Sequence, residues 1–343
     1  MTANNLSSTL NSQKEIRLAL PSKGRLAEEV LDLLESAGLR VYKPNPRQYR
    51  AVIPNLPGLT VLFQRPGDIL VSVQDGSVDF GITGWDITAE KANGSKDLLV
   101  LHKQLRIGAC TLNVIVPETW AEINTISDLA IWQQSRIEPL RAATRFPNLT
   151  SEFFTQNGID GAELISAEGT LEIAPTIGYA DIIVDLVSTG TTLRDNRLKI
   201  LEGGLILNSQ ACLIANRPAL KGRAEVLNMA RQLLEFIVAY LRASDNVAIF
   251  ANIRGNSPEA IASQMFTQSV IGGLQGPTIS QVVTREKEGW YAVHLIVRKD
   301  QLAQAIAELR QVGGSGVVVT PVTYIIEEEP QACREMLAAL EEA

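Results

Sequence analysis

Two rhythms of apolar and polar positions alternate along the first two-thirds of the chain. Short apolar runs bounded by Gly and Pro read as strands, and stripes recurring every three or four residues read as helices. The strand Ile16–Leu20, closed by Pro21, is followed by a helix from Leu26 to Ala37 that Gly38 stops. Strands follow at Tyr49–Ile53 and Leu59–Phe63. Arg65-Pro66-Gly67-Asp68 opens a helix through Val73, with Asp68 in the N-cap position. A buried strand within Gly76–Gly84 leads to Trp85 and Asp86 at the mouth of the next helix. Beyond it lie a strand at Gly108–Val116 and a strand, basic turn and helix over Leu140–Asn157. A strand at Ala162–Ile165 precedes a helix entered through Glu168-Gly169-Thr170-Leu171-Glu172, with Pro175 in its first turns. Strands from Asp181 and over Ala211–Ala215 complete the series. Such alternation predicts an α/β architecture with largely parallel sheets, and the length favours two lobes around a cleft.

The segment Asn216–Gly222 reads as a break, and the pattern changes after it. Val226, Met229, Leu233, Ile237 and Leu241 form one stripe of a long helix from Arg223 to Arg242. Strand (Val247–Asn252), helix (Ser257–Phe266), strands (Thr278–Val283 and Trp290–Val297), helix (Asp300–Gln311) and strand (Gly316–Ile326) then give the order βαββαβ, that of a ferredoxin-like split sandwich. The end of the chain, 327–343, reads as an acidic helical tail.

Composition narrows the function. A net charge of −7 leaves no overall basic field for nucleic acid, so anionic ligands must be met by local clusters. Cys110, Cys212 and Cys333 are odd in number and far apart, which excludes a disulfide framework and a zinc spacing. Of the two histidines, His102 and His294, the latter alternates with apolar neighbours and reads as a structural strand residue. The first fourteen residues are polar and lack an apolar signal core, so a disordered leader is expected. With no run of membrane-spanning length, the expectation is a soluble, cytoplasmic protein that binds neither membrane nor nucleic acid.

The chemistry concentrates in Asp181–Asp195. Its first half is a β-branched apolar run carrying Asp181 and Asp185; its second, Ser188-Thr189-Gly190-Thr191-Thr192, offers four hydroxyls around one glycine. Backbone N–H groups can converge in such a loop on a tetrahedral phosphate, while the upstream carboxylates can hold vicinal sugar hydroxyls. A Ser/Thr-rich turn that merely caps a helix has the same composition. The turn Ser22-Lys23-Gly24-Arg25, at a strand end and a helix start, is a second anion-friendly layout.

Several motifs in order resemble those of the ATP phosphoribosyltransferase family, in its long form with a C-terminal regulatory domain. They are Pro-Ser-Lys-Gly-Arg-Leu (21–26), Arg-Pro-Gly-Asp-Ile (65–69), Gly-Ser-Val-Asp-Phe-Gly-Ile-Thr-Gly (76–84), Thr-Arg-Phe-Pro-Asn-Leu (144–149), Gly-Thr-Leu-Glu-Ile-Ala-Pro (169–175) and Asp-Leu-Val-Ser-Thr-Gly-Thr-Thr-Leu (185–193). The resemblance runs from about Ile16 to Ile326. It implies a periplasmic-binding-protein-like catalytic region, with 15–106 and 187–217 in one lobe and 107–186 in the other, and a ferredoxin-like regulatory region over 218–326. The implied reaction joins N1 of the ATP adenine to C1 of phosphoribosyl pyrophosphate, releasing pyrophosphate in the first step of histidine biosynthesis.

By the same resemblance, Ser188, Thr189, Gly190, Thr191 and Thr192 take the 5-phosphate, and Glu172 and Asp185, with Asp181 as a weaker candidate, take ribose hydroxyls. Lys23, Arg25, Arg50 and Arg65 are the candidates for pyrophosphate and ATP phosphates. Gly24, Asp86, Thr144 and Arg145 are assigned to ATP. Magnesium (Mg2+) is expected to ride on the substrate phosphates without a protein cage. Histidine is the implied inhibitor, with a weak assignment of Thr278 to its site, and the implied assembly is a homo-oligomer, from dimer to hexamer. Thr111 and Trp85 depart from the family's usual residues at the adenine end. Two rivals remain from the sequence: a two-lobed solute-binding protein, and a phosphoribosyltransferase for another base.

Overall fold

The computed structural model describes residues 15–342 apart from 44, 46–47, 92–93, 168 and 284–288. The expected leader and Glu168 therefore lie outside the described residues. The chain divides into two compact units, the first built from 1–35, 39–232 and 332–343, the second from 36–38 and 233–331.

In the first unit the elements run β1 (Ile16–Pro21), α1 (Arg25–Ser36), β2 (Arg50–Val52), β3 (Leu59–Gln64), α2 (Pro66–Gln74), β4 (Phe80–Gly84), α3 (Trp85–Lys91) and β5 (Leu98–His102). They continue with β6 (Cys110–Pro117), α4 (Ile126–Gln134), β7 (Arg141–Thr144), α5 (Pro147–Gln156), β8 (Glu163–Ser166), β9 (Ile182–Val187), α6 (Thr191–Asp195), β10 (Leu198–Ser209), β11 (Ala211–Asn216), α7 (Arg217–Gly222) and the start of α8 (Ala224–Ser244). Six strands form one sheet in the order β2-β3-β1-β4-β11-β5, and five form another in the order β10-β6-β9-β7-β8. Each sheet is the scaffold of one lobe.

The sheets are mixed rather than largely parallel. β3, β1 and β4 are parallel, as are β9, β7 and β8, but β11 runs antiparallel to both its neighbours and β6 to both of its own. The reason is the route of the chain. A strand arriving from the other lobe starts at the end of the sheet where the native strands finish, so it must run the opposite way. β6 and β11 are those two arrivals. Their entry segments are bonded side by side: Leu105 N–H donates to Ala211 O (3.0 Å) and Ala211 N–H to Ile107 O (2.9 Å).

Several expectations are corrected here. β10 pairs with β6, so the chain returns to the first sheet at Gln210 and not near residue 187. Asp68 sits in the first turn of α2; the N-cap is Arg65, whose side chain makes no capping bond. Instead of a helix after Glu172 there is one 3-10 turn, Leu171–Ile173, and further turns to 179. Pro175 withholds an N–H, and Thr170 (φ 39°) and Gly178 (φ 72°) lie in the left-handed region. The supposed break at 216–222 is helix α7, whose Asn216 side chain accepts from Ala219 N–H as its cap.

The core of the second lobe gathers Leu112, Val114, Leu129, Leu140 and Val184, all fully buried, between α4, α5 and the sheet. In the first lobe Ile69, Leu70 and Val73 of α2 pack on Ala19 and Ile214. Beneath that sheet, Asp79 is 2% exposed, accepts from Arg17 N–H (2.9 Å) and pairs with Arg223 (2.8 Å). Among the described residues no helix is long and apolar enough to cross a membrane.

The second unit contains the end of α8, then β12 (Asn246–Arg254), α9 (Pro258–Phe266), β13 (Thr278–Gln281), β14 (Trp290–Arg298), α10 (Leu302–Gln311) and β15 (Ser315–Pro321). Its four-stranded sheet has the order β13-β14-β12-β15, all antiparallel, which is the ferredoxin-like arrangement anticipated. Ile261 and Met265 of α9 and Ala305 and Leu309 of α10 cover one face. On the other face Thr278 registers with His294, and the His294 ring stacks on Phe250 with centroids 4.4 Å apart. The chain then re-enters the first unit as α11 (Gln331–Glu341), burying Ala332, Cys333 and Met336.

Removing the Asp79 carboxylate would take from Arg223 its buried partner, though the more exposed Glu225 stays at 3.0 Å, and would leave Arg17 N–H without its acceptor. Asp79→Ala should cost about 3 kcal/mol of unfolding free energy, and Asp79→Asn less. Urea denaturation followed by circular dichroism measures both, and an unshifted Asp79→Ala midpoint would contradict this account.

Candidate active site

Strands β1, β3 and β4 of the first sheet and β7, β8 and β9 of the second all finish at the same opening. The loops beyond them carry the polar groups, because only there is backbone free of the sheet ladders. Between the two lobes lies a cleft of about 970 Å³. Arg25, Arg65, Lys91 and Arg145 bring positive charge to its wall, Asp68, Asp86 and Glu90 negative charge, and Ser188 a hydroxyl.

Each side chain is placed by local structure. Gly24 adopts φ +81°, which lets the Ser22-Lys23-Gly24 turn hand the chain into α1, so Arg25 stands at the helix start. Its guanidinium donates to Ala109 O (3.3 Å) and pairs with Glu29 one turn on (3.3 Å). Arg65 ends the extended segment before α2, where Pro66 occupies the first turn. Arg145 follows β7, and its guanidinium donates to Asp185 Oδ1 (2.9 Å) on the adjacent β9. Asp185 also accepts from Leu186 N–H (2.8 Å), so this acceptor is fixed before any ligand arrives.

The Ser188–Thr192 loop follows β9 directly. Gly190, at φ +71°, turns the chain into α6, and the Thr189 and Thr191 hydroxyls lie 3.3 Å apart. Ser188, Thr189, Thr191 and Thr192 are exposed at this end of the sheet. Glu172 is half-buried in the 3-10 turn beyond β8.

Asp86 sits at the cleft floor, 6% exposed. Its N–H donates to Ser209 Oγ (2.9 Å), whose hydroxyl donates back to Asp86 Oδ1 (2.7 Å). Burial pushes the Asp86 carboxyl up, against the opposing effect of that hydroxyl. Burial likewise raises the Cys110 thiol in the cleft, and pushes Cys212 behind it up to about 12. Neither sulfur is poised as a thiolate nucleophile.

Of the assigned residues, Arg25, Arg65, Asp86, Arg145 and Ser188 line the cleft; the others do not, and three of these are held elsewhere by identifiable contacts. Arg50 lies on the edge strand β2 and is ion-paired with Glu15, away from the lining residues. Asp181 stands at the opposite end of β9 from the hydroxyl loop, roughly 13 Å from Asp185 by strand rise. It accepts from Arg141 N–H and from its guanidinium, both at 2.9 Å. Burial would raise its carboxyl, but these Arg141 bonds outweigh it and hold the group low. Thr144 is fully buried, and its hydroxyl accepts from Phe146 N–H (3.0 Å) at the start of α5, so it shapes the turn instead of facing a ligand.

Conversely, Glu90, Asn148, Cys110 and Ser209 contribute to or support the cleft and were absent from the sequence-derived set. Only Glu90 left a readable trace: it lies four residues after Asp86, hence on the same helical face.

The model of the ATP phosphoribosyltransferase family matches residues 65–236, and that of its C-terminal domain matches 243–324. The chain is 43% identical over 338 residues to ATP phosphoribosyltransferase 2, chloroplastic, of Arabidopsis thaliana, covering 96% of this chain and 81% of that protein. It is 43% identical over 208 residues to the ATP phosphoribosyltransferase of Brucella suis, covering 59% and 90% respectively. A solved ATP phosphoribosyl transferase (HisG:HisZ) complex from Thermotoga maritima superposes with TM-score 0.50 at 25% identity, over 65% of this chain and 98% of that one. With arginines reaching its cleft from both walls and a hydroxyl-rich loop beside them, and with a sequence so matched, this chain belongs to the ATP phosphoribosyltransferase family, pentosyltransferases of histidine biosynthesis.

Proposed function

We propose that the cleft transfers the phosphoribosyl group of phosphoribosyl pyrophosphate to N1 of the ATP adenine. One observation carries this reading: Arg25, Arg65 and Arg145 share a cleft with the exposed Ser188 end of a hydroxyl-rich loop. N1 forms a bond to C1 as the bond from C1 to the pyrophosphate oxygen breaks. The electron pair leaves with pyrophosphate, the anomeric centre inverts, and the adenine N6 loses a proton. Such a displacement asks the protein to align two polyanions and to stabilise the departing charge.

In this scheme Ser188, Thr189, Gly190, Thr191 and Thr192 cradle the 5-phosphate, and Asp185 and Glu172 receive ribose hydroxyls. Lys23, Arg25 and Arg65 draw off pyrophosphate, the guanidinium forks of the two arginines suited to paired phosphate oxygens and the Lys23 ammonium acting as a point charge. Gly24, Asp86 and Arg145 serve ATP. Arg145, released from Asp185 when the ribose binds, becomes available to a phosphate. Magnesium would enter as part of the substrate chelate, riding on the phosphates of ATP and phosphoribosyl pyrophosphate.

Histidine acting as a feedback inhibitor through the ferredoxin-like unit, around Thr278, and assembly from dimers to a hexamer complete the proposal. The presence of a second unit matching the family's C-terminal domain supports it. Deleting everything after Arg217 would test this poorly, because the cut also removes α7, part of α8 and α11 from the catalytic unit.

Incubation with ATP, phosphoribosyl pyrophosphate and magnesium should produce phosphoribosyl-ATP, read spectrophotometrically, and histidine should slow it. Product formed at an undiminished rate under saturating histidine would remove the regulatory part; no product from folded protein would favour a solute receptor. Thr191→Val should weaken phosphoribosyl pyrophosphate binding by ~1–3 kcal/mol in calorimetry. Unchanged affinity would count against the cradle.

The Asp86 carboxyl provides a pH test. Burial raises its folded value above the unfolded one of 3.8, so its contribution to stability is fully present below that value and is lost as pH rises through the folded one. Asp86→Asn should therefore melt above the native protein at neutral pH. The two should converge as pH drops below the ordinary aspartate range, and a lower melting temperature for the variant at neutral pH would refute this.

A further inference from the structure

Helix α3 belongs to the first lobe, yet two of its carboxylates face the second. Asp86 and Glu90 are spaced one helical turn apart, and both are buried, at 6% and 3% exposure. Asp86 meets Ser209, at the end of β10. Glu90 meets the N-terminus of α5: Oε1 accepts from Asn148 N–H (2.9 Å) and Oε2 from Leu149 N–H (3.0 Å). The Asn148 side-chain amide returns a bond to the Glu90 carbonyl (3.1 Å).

Helix α5 otherwise lacks a cap. Phe146 occupies its N-cap position and offers no side-chain acceptor, and Pro147 takes the first turn. The orphan N–H groups of a helix start need an anion or an acceptor, and they favour negative charge. Here the acceptor comes from the opposite side of the cleft. Bonds from N–H groups to a carboxylate are among the stronger ones, more so away from water. Separating the lobes would break two such bonds, and the amide bond to the Glu90 carbonyl with them, and leave a carboxylate without partners.

We propose that Glu90 is a cross-lobe clasp, a positioning residue that caps α5 from the first lobe and holds the cleft at its working width. This rests on reading that cleft as the phosphoribosyl-transfer site. Arg145 lies just ahead of α5 and Arg25 and Arg65 belong to the facing lobe, so the clasp fixes the spacing between the two sets of cations. Without it, the protein spends part of its time opened, and substrate affinity falls by the fraction of competent molecules. Once both polyanions bridge the lobes, the clasp matters less.

The test compares Glu90→Ala and Glu90→Gln with the native enzyme in two ways. Hydrogen exchange of the peptide spanning 146–153, without substrate, should speed up at the Asn148 and Leu149 amides in Glu90→Ala and to a smaller extent in Glu90→Gln. Steady-state kinetics should show KM for phosphoribosyl pyrophosphate rising about tenfold in Glu90→Ala while kcat falls far less. If Glu90→Ala does not fold, Glu90→Gln carries both measurements, since its carbonyl still serves one N–H. Unchanged exchange at those amides, or a fall in kcat with KM constant, would overturn the clasp. The exchange result is independent of substrate, so it stands even if the Thr191→Val experiment removes the phosphoribosyl reading.

Discussion

The catalytic unit depends on the pairing of its two chain crossings. The segment leaving β5 and the segment entering β11 lie side by side, joined by the reciprocal bonds among Leu105, Ile107 and Ala211. Trp85 N–H adds a bond to Gln210 O (2.8 Å) and Arg106 N–H one to Gln210 Oε1 (2.8 Å). Because both crossings pass at the same place, both sheets point their native strands at one opening. The direction reversals of β6 and β11, and the convergence of so many loops on the cleft, follow from that single constraint.

Electrostatics then set the character of the opening. In a chain of net charge −7 the cations of the cleft are local, and two of them are held by a carboxylate or carbonyl: Arg25 by Glu29 and Ala109, Arg145 by Asp185. Such pairs cost little reorganisation when an anion replaces the carboxylate, since the guanidinium already points into place. Buried acids do the opposite work. Asp86 and Glu90 lie on α3 but take their partners from the second lobe, so they tie the walls together instead of competing with ligand for cations.

The ferredoxin-like unit shows how one buried charge organises a small domain. Glu308 of α10 accepts from the Ser269 hydroxyl and from the Val270 and Ile271 N–H groups, pinning the loop between α9 and β13. Its sheet leaves Phe250 and Val318 exposed on the face away from the helices. The chain afterwards returns to the catalytic unit as α11, so that unit is closed by residues from far along the sequence.

Periodicity and turn chemistry alone determined the α/β class, the βαββαβ order and the loops bearing Arg25, Arg65, Arg145 and Ser188. Those features are local: an apolar run, a Gly or Pro, and a polar turn write themselves into adjacent residues. β10 escaped notice because Gly203 and Gly204 interrupt its alternation, and the structure shows register shifts there between Ile200 and Leu207. Asp181 and Thr144 looked functional because their side-chain chemistry was right. Only tertiary structure decided that Arg141 occupies the first and the α5 turn the second. The contact of Glu90 with α5 spans 58 residues and two sheets, and no pattern near either partner encodes it. Sequence specifies which groups can accept or donate; the crossing of the chain between lobes decides which of them meet.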